Sequence, residues 1–109
     1  MVARTDTAVA LGSGDVEVFG TPALVALMEA AAIDAIRNAL PHGRTSVGTR
    51  IELDHLAPSK VGNTVRATAA LVEVGKRALL FRCEAFDGDT VIGRGLHRRV
   101  IVDREGFGA

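Results

Sequence analysis

The stretch Phe19-Gly20-Thr21-Pro22, followed by Glu29, contains the residues of this chain that are best suited to catalysis. Thr21 is predicted to cap a helix N-terminus, with Pro22 at the first helical position, where a missing N–H costs no hydrogen bond. Such a helix start presents free N–H groups and the positive end of a dipole, which suit a developing oxyanion. Glu29 then interrupts an apolar helix face, where an unpaired buried carboxylate is costly. Thr21 and Glu29 therefore mark a candidate reaction site.

These residues also have purely structural interpretations. Thr21 could serve only as a helix cap, and Glu29 could be a solvated helix residue. The apolar neighbours of Glu29 favour a functional role, because little polar surface remains around it. His55 follows Asp54 at the end of an apolar strand face and could act as a base. The residues alone favour a strand-end histidine that is satisfied by the backbone.

Composition limits the classes of function. The chain has 109 residues, 48% of them apolar, and a formal net charge of zero, so we expect one domain over residues 1–109. This balance argues against disorder and against a nucleic-acid binder that relies on positive charge. The sequence contains no apolar run long enough to cross a bilayer, so we expect no membrane partner. The first ten residues resemble no signal peptide, and a cytoplasmic location is therefore expected.

Cysteine and histidine usage gives no sign of a metal or a bound cofactor. The single cysteine, Cys83, rules out an internal disulfide and alternates with Phe81 and Ala85, as a buried small hydrophobe would. The three histidines and one cysteine show no metal-ligand spacing. We therefore expect neither a metal nor another cofactor.

The predicted elements are a short strand at Thr5–Leu11, one long helix at Pro22–Leu40, and strands after it. The later strands are expected at Val47–His55, Thr64–Val74, Ala78–Phe86 and Thr90–Asp103, with hairpins at Gly75-Lys76 and Asp87-Gly88. The alternating residues Val47, Thr49, Ile51, Leu53 and His55 are predicted to share one face. The predicted fold is α+β, with a curved antiparallel sheet of about five strands wrapped around the helix.

This order of elements is that of the hotdog fold, and several short motifs extend the likeness. They are Gly20-Thr21, Leu27-Met28-Glu29, Val47-Gly48-Thr49, His55 and the stretch from Gly93 to Arg99. In this order and spacing they resemble the fluoroacetyl-CoA thioesterase family of the hotdog thioesterase superfamily. The resemblance extends from about Phe19 to Phe107, most of the chain.

The resemblance implies an acyl-CoA thioesterase, with Thr21, Glu29 and His55 as its catalytic set. The positions implied to bind substrate are Gly20, Gly48, His97 and Arg99. Coenzyme A would enter as part of the substrate. Asp15 and Val16 stand where the family pattern has an aromatic residue, so we expect a small-acyl substrate with weak preference for a fluorinated one.

Two other functions remain open at this point. A hotdog enoyl-CoA hydratase would use an Asp/His pair, but Asp54 and His55 are neighbours and would point to opposite faces of a strand. A non-catalytic acyl-CoA-binding module is the other alternative. Glu29 on an apolar helix face counts against it, because a leucine there would serve a binder better.

The spacing of the catalytic set favours a site shared across a two-fold axis, and a homodimer and a dimer of dimers both contain such an axis. Thr21 and Glu29 are separated by eight residues, a rise of about 12 Å along a helix. Side chains that far apart on one straight helix cannot act on one carbonyl. Two antiparallel helices across a two-fold axis would bring Thr21 of one chain to Glu29 of the other.

Overall fold

The computed structural model describes residues 1–108, in which a sheet of four antiparallel strands packs against one long helix. A 3-10 turn at Arg4–Asp6 and the short helix α1, Ala8–Leu11, precede the long helix α2, Thr21–Ala35. The strands are β1 at Arg44–His55, β2 at Val65–Val74, β3 at Ala78–Asp87 and β4 at Thr90–Asp103. Their order in the sheet is β1-β4-β3-β2. The predicted α+β class and curved sheet are confirmed, with four strands where about five were expected.

The predicted strand at Thr5–Leu11 is wrong, because this segment forms the 3-10 turn and α1. The Thr7 hydroxyl accepts a hydrogen bond from the Ala10 N–H, and Gly12 ends the short helix in the left-handed region with φ 71°. A local cap and a glycine stop thus outweigh the alternating pattern. Thr7 keeps only an isolated bridge to Phe19.

Helix α2 buries one face against the sheet. Leu24, Met28 and Ala32 are fully buried and recur at the spacing of a helical stripe. A Cβ atom at Gly93 of β4 would stand 2.9 Å from Leu24 Cδ2, so a glycine lets the helix approach closely. The helix ends earlier than the predicted Leu40, because Ile36 leaves helical geometry and buries its side chain in the core.

A β-bulge in β1 changes which residues face the helix. Gly48 pairs with Arg99, whereas Arg50 pairs with Arg98, so Thr49 is an extra residue. The prediction that Val47 and Thr49 share a face with Ile51 is therefore wrong. The residues of β1 that face the helix are Ser46, Gly48, Ile51, Leu53 and His55.

The two predicted hairpins are confirmed. The Gly75 N–H donates to the Ala78 carbonyl between β2 and β3, and Gly88 has a φ of 58° in the turn between β3 and β4. Strand β1 begins at Arg44 rather than Val47 because its pairing with β4 continues to Asp103.

No helix among residues 1–108 is long and apolar enough to span a membrane.

Candidate active site

The first residue of α2 contacts the last residue of β1. The Thr21 hydroxyl oxygen lies 2.9 Å from His55 Nδ1. His55 faces the helix because it pairs with Gly93, whose side of the sheet packs on α2. Thr21 is exposed and His55 is half-buried, so the pair lies at the rim of the core. The structure thus brings two of the predicted catalytic residues together.

The prediction that Thr21 caps the helix with its side chain is wrong. Gly20 is the N-cap, and it has no side chain with which to cap the helix. The Gly20 N–H donates to the Asp6 carbonyl at 2.8 Å, which holds the entering chain against the N-terminal segment. Thr21 is consequently the first helical residue, with its hydroxyl free to reach His55.

Burial shapes the chemistry of His55. Its ring meets the buried Phe19 ring edge-on, with centroids 6.4 Å apart. Burial lowers the pKa of His55 below its usual value of 6.5, and the backbone of Ala57 opposes this only in part. Its Nε2 atom is buried and makes no hydrogen bond of standard geometry within residues 1–108. A neutral imidazole next to a hydroxyl can accept a proton.

The second cluster surrounds Glu29, two turns further along α2. Glu29 Oε2 lies 3.3 Å from Arg99 Nη1 and 3.9 Å from His97 Nε2. The side chains of His97 and Arg99 are only 2% and 5% exposed, whereas that of Glu29 is 37% exposed. The Glu29 carboxylate is therefore partly exposed and pairs with a buried arginine. This pairing compensates much of the cost of removing both charges from water.

Gly48 leaves the space that this carboxylate occupies. A Cβ atom at position 48 would stand 2.6 Å from Glu29 Oε2 and 3.1 Å from His97 Cε1. The bulge in β1 turns Gly48 toward the helix. Gly48 thus has a steric role beside any contact with substrate.

Ser46 also belongs to this cluster, although the sequence analysis did not select it. Its hydroxyl accepts a hydrogen bond from Arg99 Nε at 2.8 Å, and its carbonyl accepts one from Arg99 Nη2 at 3.0 Å. The only sign of Ser46 in the sequence was a serine two residues before Gly48. The alternating pattern of β1 does not reveal the bulge that turns this serine toward the helix.

The chain therefore carries two separate clusters, Thr21 with His55 and Glu29 with its partners on β1 and β4. Eight residues of α2, about 12 Å of helix, separate Thr21 from Glu29. Within residues 1–108, no group of three or more His, Cys, Asp and Glu residues could hold a metal ion. The chemistry available is that of a hydroxyl, an imidazole, a carboxylate and a helix N-terminus.

Comparison with known proteins identifies relatives along most of the chain. The profile of the fluoroacetyl-CoA-specific thioesterase family matches residues 2–105. The fluoroacetyl-CoA thioesterase of Streptantibioticus cattleyicolor is 42% identical over 93 residues, which are 85% of this chain and 67% of that protein. The resemblance inferred from the motifs is confirmed.

Solved structures support the same assignment. A structure of the fluoroacetyl-CoA thioesterase superposes with a TM-score of 0.91 at 37% identity, covering 97% of this chain and 83% of that one. A thioesterase superfamily member of Thermus thermophilus superposes with a TM-score of 0.87 at 26% identity, covering 95% and 77%. The chain therefore belongs to the fluoroacetyl-CoA-specific thioesterase family and is a hotdog-fold thioesterase.

Proposed function

We propose that this protein hydrolyses small-acyl CoA thioesters with Thr21, Glu29 and His55, at a site that two copies of the chain share. The observation that carries the proposal is the anchored carboxylate of Glu29. Its Oε2 is held by the buried Arg99, and no group within residues 1–108 hydrogen-bonds to Oε1. A fixed carboxylate with one free oxygen can act as a nucleophile or as a general base.

Both roles of Glu29 give the same products. As nucleophile, a carboxylate oxygen bonds to the thioester carbonyl carbon, the CoA thiolate leaves, and water hydrolyses the resulting anhydride. As general base, Glu29 takes a proton from the water that attacks the carbonyl, and the departing thiolate takes up a proton. Either route releases a carboxylic acid and the CoA thiol.

The start of α2 suits the developing oxyanion. As the first helical residue, Thr21 has a backbone N–H that no intrahelical carbonyl accepts. The helix dipole adds positive potential at the same place. When His55 is neutral, its Nδ1 can accept a hydrogen bond from the Thr21 hydroxyl. This hydrogen bond fixes the hydroxyl beside the reacting carbonyl.

The two clusters of one chain are too far apart to act on one carbonyl, and a second copy resolves this. Strand β1 is at the edge of the sheet, and a second β1 could pair with it in antiparallel fashion. A two-fold axis near Ile51 would place Gly48, and the Glu29 beside it, opposite the partner's His55. Each of two sites would then combine Glu29 of one chain with the Thr21–His55 pair of the other.

The segment before α2 supports a broad small-acyl preference. A cavity of about 330 Å³ adjoins the Thr21–His55 pair, with Phe19 and Val18 in its wall. Asp15 and Val16 lie in an exposed loop, and Val16 is 58% exposed. No aromatic side chain stands at these two positions to distinguish a fluoroacyl from an acetyl group.

The hydratase alternative loses its catalytic pair in this fold. Asp54 pairs with Arg94 and His55 with Gly93, so the two side chains lie on opposite faces of the sheet. A protein that only bound acyl-CoA would not need the ion pair between Glu29 and Arg99, because apolar residues of similar volume would stabilise the fold as well.

The test is a thiol-release assay on a panel of acetyl-, propionyl-, butyryl-, fluoroacetyl- and long-chain acyl-CoA, with and without a chelator. We expect turnover of the short acyl-CoAs, unaffected by the chelator, and similar kcat/KM for the acetyl and fluoroacetyl substrates. Crotonyl-CoA, followed by loss of its enoyl absorbance, tests the hydratase. A folded protein that releases no thiol from any substrate would refute the proposed function.

A further inference from the structure

We propose that His97 is a positioning residue: a neutral imidazole with its hydrogen on Nδ1, whose Nε2 orients Arg99 and through it the Glu29 carboxylate. The inference rests on the proposed function for its effect on turnover, whereas the state of His97 follows from the hydrogen bonds alone. His97 is outside the Thr/Glu/His set, and only 2% of its surface is exposed, beside Glu29 and Gly48.

The first nitrogen of His97 is fixed by a backbone carbonyl. His97 Nδ1 lies 2.8 Å from the Arg50 carbonyl oxygen, beside the bulge in β1. A carbonyl oxygen only accepts hydrogen bonds, so Nδ1 must carry the hydrogen and donate it. The ring also packs on the buried Phe81 of β3, with centroids 6.5 Å apart.

The second nitrogen is fixed by a guanidinium. Arg99 Nη1 lies 3.1 Å from His97 Nε2. A guanidinium only donates hydrogen bonds, so Nε2 must present a lone pair and carry no hydrogen. The two contacts together require the neutral tautomer with the hydrogen on Nδ1, because a second proton on Nε2 would face the arginine cation.

His97 provides one of the four hydrogen bonds that hold the Arg99 guanidinium. The guanidinium carries five hydrogens. The Nε hydrogen and one Nη2 hydrogen are donated to Ser46. The two Nη1 hydrogens are donated to His97 and Glu29. With Ser46 and His97 holding the plane of the guanidinium, the hydrogen that reaches Glu29 has a fixed direction. Without the His97 acceptor the guanidinium is held by Ser46 alone on its other side, so the whole planar group can shift relative to the carboxylate.

A purely structural role for His97 makes a different prediction. If it only satisfied a buried arginine, its replacement would lower the free energy of unfolding and leave the folded fraction fully active. If it positions Glu29 without touching substrate, kcat falls in protein that is still folded, whereas KM changes little.

Two substitutions distinguish the roles of the two ring nitrogens of His97. In His97→Gln the side-chain amide oxygen can replace Nε2 as the acceptor for Arg99. In His97→Asn the amide N–H can replace Nδ1 as the donor to the Arg50 carbonyl, but nothing accepts from Arg99. His42→Gln, in an exposed loop, is the matched control. We expect kcat to fall about ten- to hundredfold in His97→Asn, with KM nearly unchanged and far more activity kept in His97→Gln.

The tautomer is measured independently of activity by ¹⁵N NMR of the side-chain imidazoles in the wild-type protein. We expect His97 to show the pattern of a neutral ring with hydrogen on Nδ1. A hydrogen on Nε2, or a charged ring at neutral pH, would overturn the inference whether or not thioesters are hydrolysed. Equal kcat values for folded His97→Asn and wild type would also overturn it, while absence of turnover in the wild type would refute only the proposed function.

Discussion

The Thr21 hydroxyl lies 2.9 Å from His55 Nδ1, so a side chain at the start of α2 is tied to one at the end of β1. The chain positions that meet here are 34 residues apart. The contact depends on Gly20 serving as the N-cap, because a threonine that capped its own helix would turn its hydroxyl to the helix N–H groups.

Thr21→Val removes the hydroxyl while keeping the shape of the side chain. We expect kcat to fall about ten- to hundredfold, since the hydroxyl that His55 holds beside the reacting carbonyl is lost. Thr21→Ser keeps the hydroxyl and should retain most of the activity. Steady-state kinetics of the two variants, with melting curves to show folding, check this expectation. A Thr21→Val enzyme as fast as wild type would remove the hydroxyl from the mechanism.

Burial of His55 predicts a pH dependence of stability. Its folded-state pKa is lowered below the usual 6.5, so near that pH the unfolded chain binds a proton that the folded chain does not. The free energy of unfolding should therefore decrease as the pH falls below about 6.5 and level off below the folded-state pKa. Above the unfolded pKa the ring is neutral in both states and contributes no slope.

Denaturant unfolding from neutral to mildly acidic pH measures this effect. His55→Asn should lose the part of the slope that belongs to His55, and His42→Asn serves as the control in an exposed loop. Identical pH slopes for wild type and His55→Asn would show that burial of this ring does not affect its titration.

Gly48→Ala tests the space beside the carboxylate. The new methyl group would meet Glu29 Oε2 at 2.6 Å, so the carboxylate must move. We expect kcat to fall by about tenfold or more, because small displacements of a reacting group are costly. Gly75→Ala, whose Cβ would have no neighbour closer than 3.4 Å, is the control. Unchanged kcat in Gly48→Ala would show that the position of this oxygen is not critical.

Glu29→Gln keeps the size of the side chain and removes its charge. We expect kcat to fall about a hundredfold or more, because an amide is neither a useful nucleophile nor a base. The fold should remain, since the amide oxygen can still accept from Arg99. Glu73→Gln, at an exposed position of β2, is the matched control, and thiol release is the measurement. Turnover at the wild-type rate in Glu29→Gln would exclude the carboxylate.

Local patterns were sufficient to predict the long helix and the hairpins. The Asp87-Gly88 pair marked its turn because glycine adopts positive φ readily, and the stripe through Leu24 and Met28 marked the buried helix face. The segment Thr5–Leu11 was mispredicted because its alternation is short and the Thr7 cap acts locally.

The clusters of the candidate site were harder to predict than its members. Glu29 was recognisable as a charge on an apolar face, but the residues around it come together only through pairing across the sheet. The bulge at Gly48 reverses the facing direction of the residues before it, which an alternating pattern does not reveal. Ser46 was missed for that reason.

The shared site is tested most directly by mixing two chains that are each strongly impaired on their own. One variant carries Thr21→Val and the other carries Glu29→Gln, and the subunits are exchanged and then assayed for thiol release. If each site takes Thr21 from one chain and Glu29 from the other, a mixed dimer contains one intact site. Activity should then return to about a quarter of wild type at equal mixing, since half of the dimers are mixed and half of their sites are intact. No recovery, with subunit exchange verified by mass spectrometry, would contradict the shared site.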